Sequence, residues 1–180
     1  MGVKGRRNIE TSDEPNLLGN IDEIIKAAKQ NGFISSGEVD IKKIIQSNGI
    51  EIREEVLASS VSGYLVKENG KWIIGVNKNH HIRRQRFTLA HEFAHYNLHR
   101  TDLDYFEDEI FYRNEVQTSV EYAANAYASQ LLMPEDLLKK AILNEGLTTL
   151  KDLAELFNVS TLAVKNRVVT MGYKIKDDEK

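Results

Sequence analysis

The chain has 180 residues, a formal net charge of −3, 41% hydrophobic and 28% charged residues, and no cysteine. This composition is typical of a globular protein of about one domain, and the lack of cysteine excludes a disulfide framework and a thiolate metal site, as expected in the reducing cytoplasm. No apolar run is long enough to span a membrane, and the charge offers no general attraction to nucleic acid or anionic membranes. We therefore expect a cytoplasmic protein with no membrane attachment.

The N-terminal part predicts a tail followed by two helices. Residues 1–19 contain charge, glycine and serine but no apolar core, so we expect a disordered tail rather than a signal peptide. From Ile21 to Gln30 the apolar residues recur at helical spacing, and Gly32 follows as a stop signal. A second, shorter helix is predicted from Val39 to Ser47.

The next segment predicts a small antiparallel sheet. Ile50 to Val56 is predicted to be its first strand. Val61 to Val66 and Trp72 to Val76 then flank Asn69-Gly70, which is the strongest short-range signal for a β-hairpin.

The segment from about Ile82 to His99 predicts a helix with an HExxH pattern, His91-Glu92-Phe93-Ala94-His95. Residues four apart lie on one face of a helix, so the two imidazoles could hold one metal ion between them. Glu92 lies about 100° around the helix from His91 and could hold a water at the open side of the ion. This is the arrangement of metal-assisted hydrolysis, with the carboxylate as general base.

An ordinary amphipathic helix is the competing interpretation of this segment. The flanking residues, however, give the helix an extensive apolar surface, and histidines buried in such a surface need polar partners. A metal ion would be one partner for both, which favours the zinc interpretation. His99 is a poor third ligand, because on an unbroken helix it lies about 12 Å along the axis from His91.

A second helix, predicted from Glu121 to Pro134, offers a better third ligand. Glu121 could complete a site of two histidines and one glutamate, although Thr118-x-x-Glu121 also fits a capping box in which the glutamate only caps the helix. Between the two helices, the acidic stretch from Asp102 to Glu109 is predicted to be a loop over or beside the site. The other candidate ligands are Glu107, Glu109 and Glu115.

The last segment predicts a helix-turn-helix, with helices from Leu150 to Phe157 and from Thr161 to Met171, and with Ser160 as the N-cap of the second. A DNA-binding interpretation would turn four side chains of the second helix toward a groove: Thr161, Lys165, Asn166 and Arg167. From Leu147 onward there are six Lys or Arg against five Asp or Glu, which argues against direct DNA binding. The alternatives are a pair of packing helices and contact with a DNA-bound protein.

Two motifs resemble the ImmA/IrrE family of metallopeptidases. The segment from Arg86 to His95, RFTLAHEFAH, followed by Leu98-His99, is similar to the family's RFTLAHELGH with a trailing LH. The segment from Glu121 to Pro134 is similar to the family's E-x-x-A-N-x-F-A-x-x-L-L-M-P block. The resemblance implies that zinc is held by His91, His95 and Glu121, and that Glu92 is the general base.

The departures from the family pattern are mild, since Ala94 replaces a glycine and Tyr127 a phenylalanine. The resemblance implies an α+β fold in which residues 20–145 form a zincin-like metallopeptidase core with a small antiparallel sheet, an active-site helix and a glutamate helix. Residues 146–180 would form the helix-turn-helix-like segment. The strand Trp72 to Val76 leads directly into the active-site helix, and by analogy with other zinc peptidases its free edge could pair with an extended substrate.

The function implied by the resemblance is a zinc-dependent endopeptidase that cleaves or inactivates a partner helix-turn-helix repressor, in a stress response, a mobile element or a toxin–antitoxin pair. The alternative is a toxin or antirepressor component that acts by binding its partner instead of by hydrolysis. The intact HExxH favours the enzyme, because a purely structural metal site has no need of Glu92. The oxyanion donor stays open among four side chains: Tyr96, His99, Tyr122 and Arg86.

Overall fold

The computed structural model describes residues 21–103 and 119–175, with side chains for all of these except residues 99–103. Within these ranges the α+β fold class is confirmed. The elements in chain order are α1 (Ile21–Gln30), β1 (Ile34–Ser35), β2 (Glu38–Val39), α2 (Ile41–Ser47), β3 (Glu51–Glu55), β4 (Gly63–Glu68), β5 (Lys71–Asn77), α3 (Ile82–Leu103), α4 (Ser119–Leu132), α5 (Glu135–Leu143), α6 (Leu150–Leu156) and α7 (Thr161–Thr170). No helix among the described residues is long and apolar enough to cross a membrane.

Most predicted helices and strands are confirmed to within a few residues, and α3 continues four residues beyond His99. The Ser160 side chain accepts a hydrogen bond from the Ala163 amide at 3.1 Å, which confirms the predicted N-cap. The expected tail at residues 1–19 lies outside the described residues. So do residues 104–109 of the expected acidic loop, whose first two residues, 102 and 103, are helical.

Three elements are not predicted from the sequence: the strands β1 and β2, and helix α5. The β1–β2 hairpin has only two residues in each strand, too few for an alternating pattern. Helix α5 begins directly after Pro134, which occupies its N-cap position, and Glu135 and Asp136 lie in its first turn. Proline followed by acidic residues is a helix-start signal, and here the same proline also ends α4, which hides the start of α5 in the sequence.

The three-stranded sheet is mixed, with strand order β3-β5-β4. The predicted hairpin is confirmed, since β4 and β5 pair antiparallel, whereas β3 pairs with β5 in parallel. The antiparallel prediction is therefore wrong for β3. Because β5 enters between the two earlier strands, both of its edges are paired, and the expected free edge on Trp72 to Val76 is also wrong.

A tyrosine side chain crosses the middle of this sheet. Tyr64 on β4 lies opposite Gly75 on β5, and its hydroxyl donates a hydrogen bond to Glu55 Oε2 on β3 at 2.6 Å. Burial and this hydrogen bond raise the pKa of Tyr64 to about 12. The ring occupies the space that a Cβ of residue 75 would need, which explains the glycine in the central strand.

We expect Gly75→Ala to lower the free energy of unfolding by about 1–3 kcal/mol, because the new methyl overlaps the Tyr64 ring. Adding Tyr64→Ala should recover part of this loss, so the double variant should be more stable than the sum of the single effects predicts. Urea denaturation of the three variants measures this coupling. Strictly additive effects would show that the ring is not what excludes the methyl.

The C-terminal helices pack into the same hydrophobic core as the rest of the fold. Buried side chains of α6 and α7 belong to one cluster with those of α3 and α4; they are Leu153, Ala154, Val164 and Val168. Phe157 and Val159, in the connection between α6 and α7, are fully buried in that cluster as well. The helix-turn-helix-like segment is thus packed against the same core as α3 and α4.

A buried arginine on α3, Arg86, links the helix-turn-helix-like segment to the β1–β2 hairpin. Arg86 donates hydrogen bonds to the carbonyls of Val39 at 2.9 Å and Asn158 at 3.1 Å, and forms an ion pair with Glu38 at 2.9 Å. The Asn158 side chain in turn donates to Glu38 Oε1 at 3.0 Å. Burial lowers the pKa of Arg86, and the Glu38 carboxylate opposes that shift.

We expect Arg86→Met to lower the free energy of unfolding by about 3 kcal/mol, because two carbonyls and one carboxylate lose their shared donor. The matched control is Arg84→Met on the same helix, where an exposed arginine donates to Ser62 Oγ at 2.9 Å. That variant should lose less than about 1 kcal/mol. Equal losses in urea denaturation would contradict the role given to Arg86.

Candidate metal centre

Helix α3 presents two buried imidazoles to the same point. His91 is 2% and His95 5% exposed, and their Nε2 atoms are 3.0 Å apart. One helical turn separates them on a helix that is unbroken from Ile82 to Leu103, so His99 lies a further turn along the axis. This continuity supports the exclusion of His99 as a ligand of the same ion.

Helix α4 supplies a carboxylate to the same point. Glu121 Oε2 lies 3.3 Å from His91 Nε2, and Oε1 lies 3.2 Å from His95 Nε2. The Glu121 side chain is 26% exposed, so the cluster is open to solvent on the glutamate side. The structure therefore brings together the three ligands expected from the sequence.

The alternatives to Glu121 fall outside the described part of the chain. These are Glu107, Glu109 and Glu115, together with Thr118 of the possible capping box. In the described residues, the group of side chains suited to hold a metal ion consists of His91, His95 and Glu121, with ligand atoms all within 4.8 Å of one another.

The spacing of the three ligands fits a tetrahedral zinc ion. With metal–ligand bonds of about 2.0–2.1 Å, the ligand atoms of such an ion are about 3.3 Å apart. The observed separations between the nearest ligand atoms of His91, His95 and Glu121 are 3.0, 3.2 and 3.3 Å. Two imidazoles and one carboxylate are also a donor set that zinc accepts in catalytic sites, with a fourth position left for water.

Two further side chains bear on the cluster. Glu92, the predicted general base, follows His91 on α3 and is buried, with 6% of its surface exposed. Asn125, one turn after Glu121 on α4, has its Oδ1 3.0 Å from His91 Nδ1. No role for Asn125 is predicted from the sequence, although its spacing of four from Glu121 places both residues on one helix face.

The four candidate oxyanion donors differ in their contacts and in their exposure to solvent. Arg86 donates to two backbone carbonyls and one carboxylate, and Tyr96 packs against the rings of Trp72 and Phe93. Tyr122, next to Glu121, is 65% exposed. The side chain of His99 is outside the described part of the chain.

The predicted groove-facing residues of α7 do not share one surface. Thr161, Lys165 and Asn166 are exposed, but Arg167 is buried and donates from Nε to the Met133 carbonyl at 3.3 Å. The DNA-binding interpretation required Arg167 to face a groove, and this part of it is wrong, because the guanidinium is buried against the end of α4.

Comparison with known families agrees with this geometry. Residues 45–169 match the peptidase M78 family, described as an IrrE N-terminal-like domain. The chain belongs to this family. The match includes α6 and nearly all of α7, so it extends through the helix-turn-helix-like segment.

A curated relative is similar over a shorter stretch. The metallopeptidase ImmA of Bacillus subtilis (strain 168) is 26% identical over 106 residues, which is 59% of this chain and 60% of that protein. The matched region thus spans about three fifths of the relative's length.

We expect the metal-free protein to bind one zinc ion, and Glu121→Gln to weaken that binding by at least about 10-fold, because an amide oxygen replaces a carboxylate ligand. Glu155→Gln, an equal change at an exposed position of α6, should leave the affinity unchanged. Competition with a coloured chelator measures both. Equal affinities in the two variants would remove Glu121 from the ligand set.

Proposed function

We propose that the chain is a zinc-dependent endopeptidase in which His91, His95 and Glu121 hold the metal and Glu92 is the general base. The observation that carries the proposal is the convergence of two buried imidazoles and a carboxylate from a second helix at tetrahedral spacing. Membership of a peptidase family and the similarity to a metallopeptidase support it.

The chemistry follows from the residues around the cluster. Bound zinc would polarise the scissile carbonyl and lower the pKa of a water toward neutrality. Glu92 would take the proton of the attacking water and pass it to the leaving amine, which is the general acid–base step of peptide hydrolysis. Its burial beside His91 favours this role, because bulk water does not compete for the carboxylate.

The outer edge of β4 is the proposed place where the backbone of an extended substrate would pair with the sheet. The β4 end at Gly63 adjoins Thr88 on α3, and Lys67, next to the other end, pairs with Trp72, whose ring contacts Tyr96 on α3. Strand β4 therefore runs alongside the stretch of α3 that contains both histidines. No described strand pairs with its outer edge, so a substrate backbone could add there.

The proposed substrate is a helix-turn-helix transcriptional repressor in the same cytoplasm, in a stress-response, mobile-element or toxin–antitoxin setting. Helix α7 supports contact with a protein rather than with DNA, because its exposed face carries Leu162 and Val169 at a spacing of seven. Exposed apolar side chains on one helix face suit a protein partner better than a phosphate backbone.

We expect Glu92→Gln to retain zinc but to lower the cleavage rate by at least about 100-fold, because the amide cannot accept the proton. The measurement is mass analysis of fragments after incubation with helix-turn-helix repressors of the same organism. Glu155→Gln is the matched control and should cleave as the wild type does.

The outcomes separate hydrolysis from sequestration. Cleavage by Glu92→Gln at the wild-type rate would contradict the role of Glu92 as general base. Release of the repressor from DNA by wild type and Glu92→Gln alike, without fragments, would favour the alternative in which the chain acts by binding its partner.

A further inference from the structure

The second ring nitrogen of His91 contacts a side-chain amide of α4, the helix that also supplies Glu121. His91 has two ring nitrogens, and Nε2 faces His95 and Glu121. The other, Nδ1, lies 3.0 Å from Asn125 Oδ1. Glu121 and Asn125, both on α4, therefore contact the two different ring nitrogens of His91.

The hydrogen-bond chemistry allows one assignment of protons if Nε2 is to bind a metal. A neutral imidazole has one N–H and one lone pair, and metal binding through Nε2 requires the lone pair there. Nδ1 must then carry the proton and donate it to an acceptor. An amide oxygen is an acceptor only, so Asn125 Oδ1 selects this tautomer.

We propose that Asn125 is a positioning residue that fixes His91 as its Nδ1–H tautomer and holds the ring plane toward the metal. The inference rests on the proposed metal centre, but it concerns a contact that exists without the metal. Because Glu121 and Asn125 are one helical turn apart on α4, a single packed helix supplies a ligand and orients another.

The consequence is a metal affinity that depends on a residue with no contact to the metal. Without an acceptor at Nδ1, His91 can place its proton on Nε2 and lose the ligand lone pair, or rotate within its pocket. Partners of this kind typically contribute 10–100-fold in metal affinity.

Two variants of Asn125 test the role of the acceptor. Asn125→Leu keeps the size and removes the acceptor, and it should weaken zinc binding about 10–100-fold in chelator competition. Asn125→Asp keeps an acceptor oxygen and should bind zinc within about threefold of the wild type or more tightly. Gln130→Met, a near-isosteric loss of an amide at another half-buried position of α4, is the matched control and should bind as the wild type does.

The tautomer itself is measured by ¹⁵N NMR of the histidine rings in the metal-free protein. We expect the Nδ1–H form of His91 in the wild type and in Asn125→Asp, and a mixture or the Nε2–H form in Asn125→Leu. A merely structural asparagine would change stability without moving this signature.

Three results would overturn the inference: an Nε2–H tautomer of His91 in the metal-free wild type, wild-type affinity and tautomer in Asn125→Leu, or failure of Asn125→Asp to restore affinity. If Asn125→Leu does not fold, the His91 tautomer in the wild-type spectrum and the zinc affinity of Asn125→Asp still test the inference. A wild type that binds no zinc yet shows an Asn125-dependent tautomer would contradict the proposed function and leave the positioning role standing.

Discussion

The close packing of α4 against α3 is the constraint on which the candidate site depends. Both helices carry small, fully buried residues at a spacing of four, namely Ala90 and Ala94 on α3 and Ala124 and Ala128 on α4. Small side chains let two helix backbones approach closely, so a glutamate on one can reach between two histidines of the other. Ala94 is fully buried, so its methyl group is accommodated in the core.

The same helix pair also explains why the site is enclosed on one side and open on the other. The imidazoles and the Glu92 carboxylate lie among core residues of α3, where desolvation strengthens electrostatic interactions, while Glu121 stands at the partly exposed start of α4. Arg86 ties α3 to two other parts of the fold. Its three partners come from β2 and from the connection between α6 and α7. The helix-turn-helix-like segment is therefore part of the support of the active-site helix.

Local patterns in the sequence predicted most of the elements and the pair of histidines, while the resemblance to a known family selected Glu121 among the acidic candidates. The His91–His95 spacing implies a shared helix face whatever surrounds it, and the asparagine–glycine turn implies its hairpin, because both depend on backbone geometry alone. Predictions about partners in space fared worse. The parallel pairing of β3, the closed edges of β5 and the burial of Arg167 all depend on which element packs beside which, and no local period encodes that.

By itself, then, the sequence determined most of the helices, the β4–β5 hairpin and the chemical types of the ligands, since spacing along a helix and turn geometry are properties of the chain over a few residues. Only the tertiary structure decided that Glu121 meets both histidines and that Asn125 meets the far side of His91, because these contacts join residues about thirty positions apart. The insertion of β5 between β3 and β4 was decided in the same way. Such contacts exist only once burial of the core has set the distance between α3 and α4.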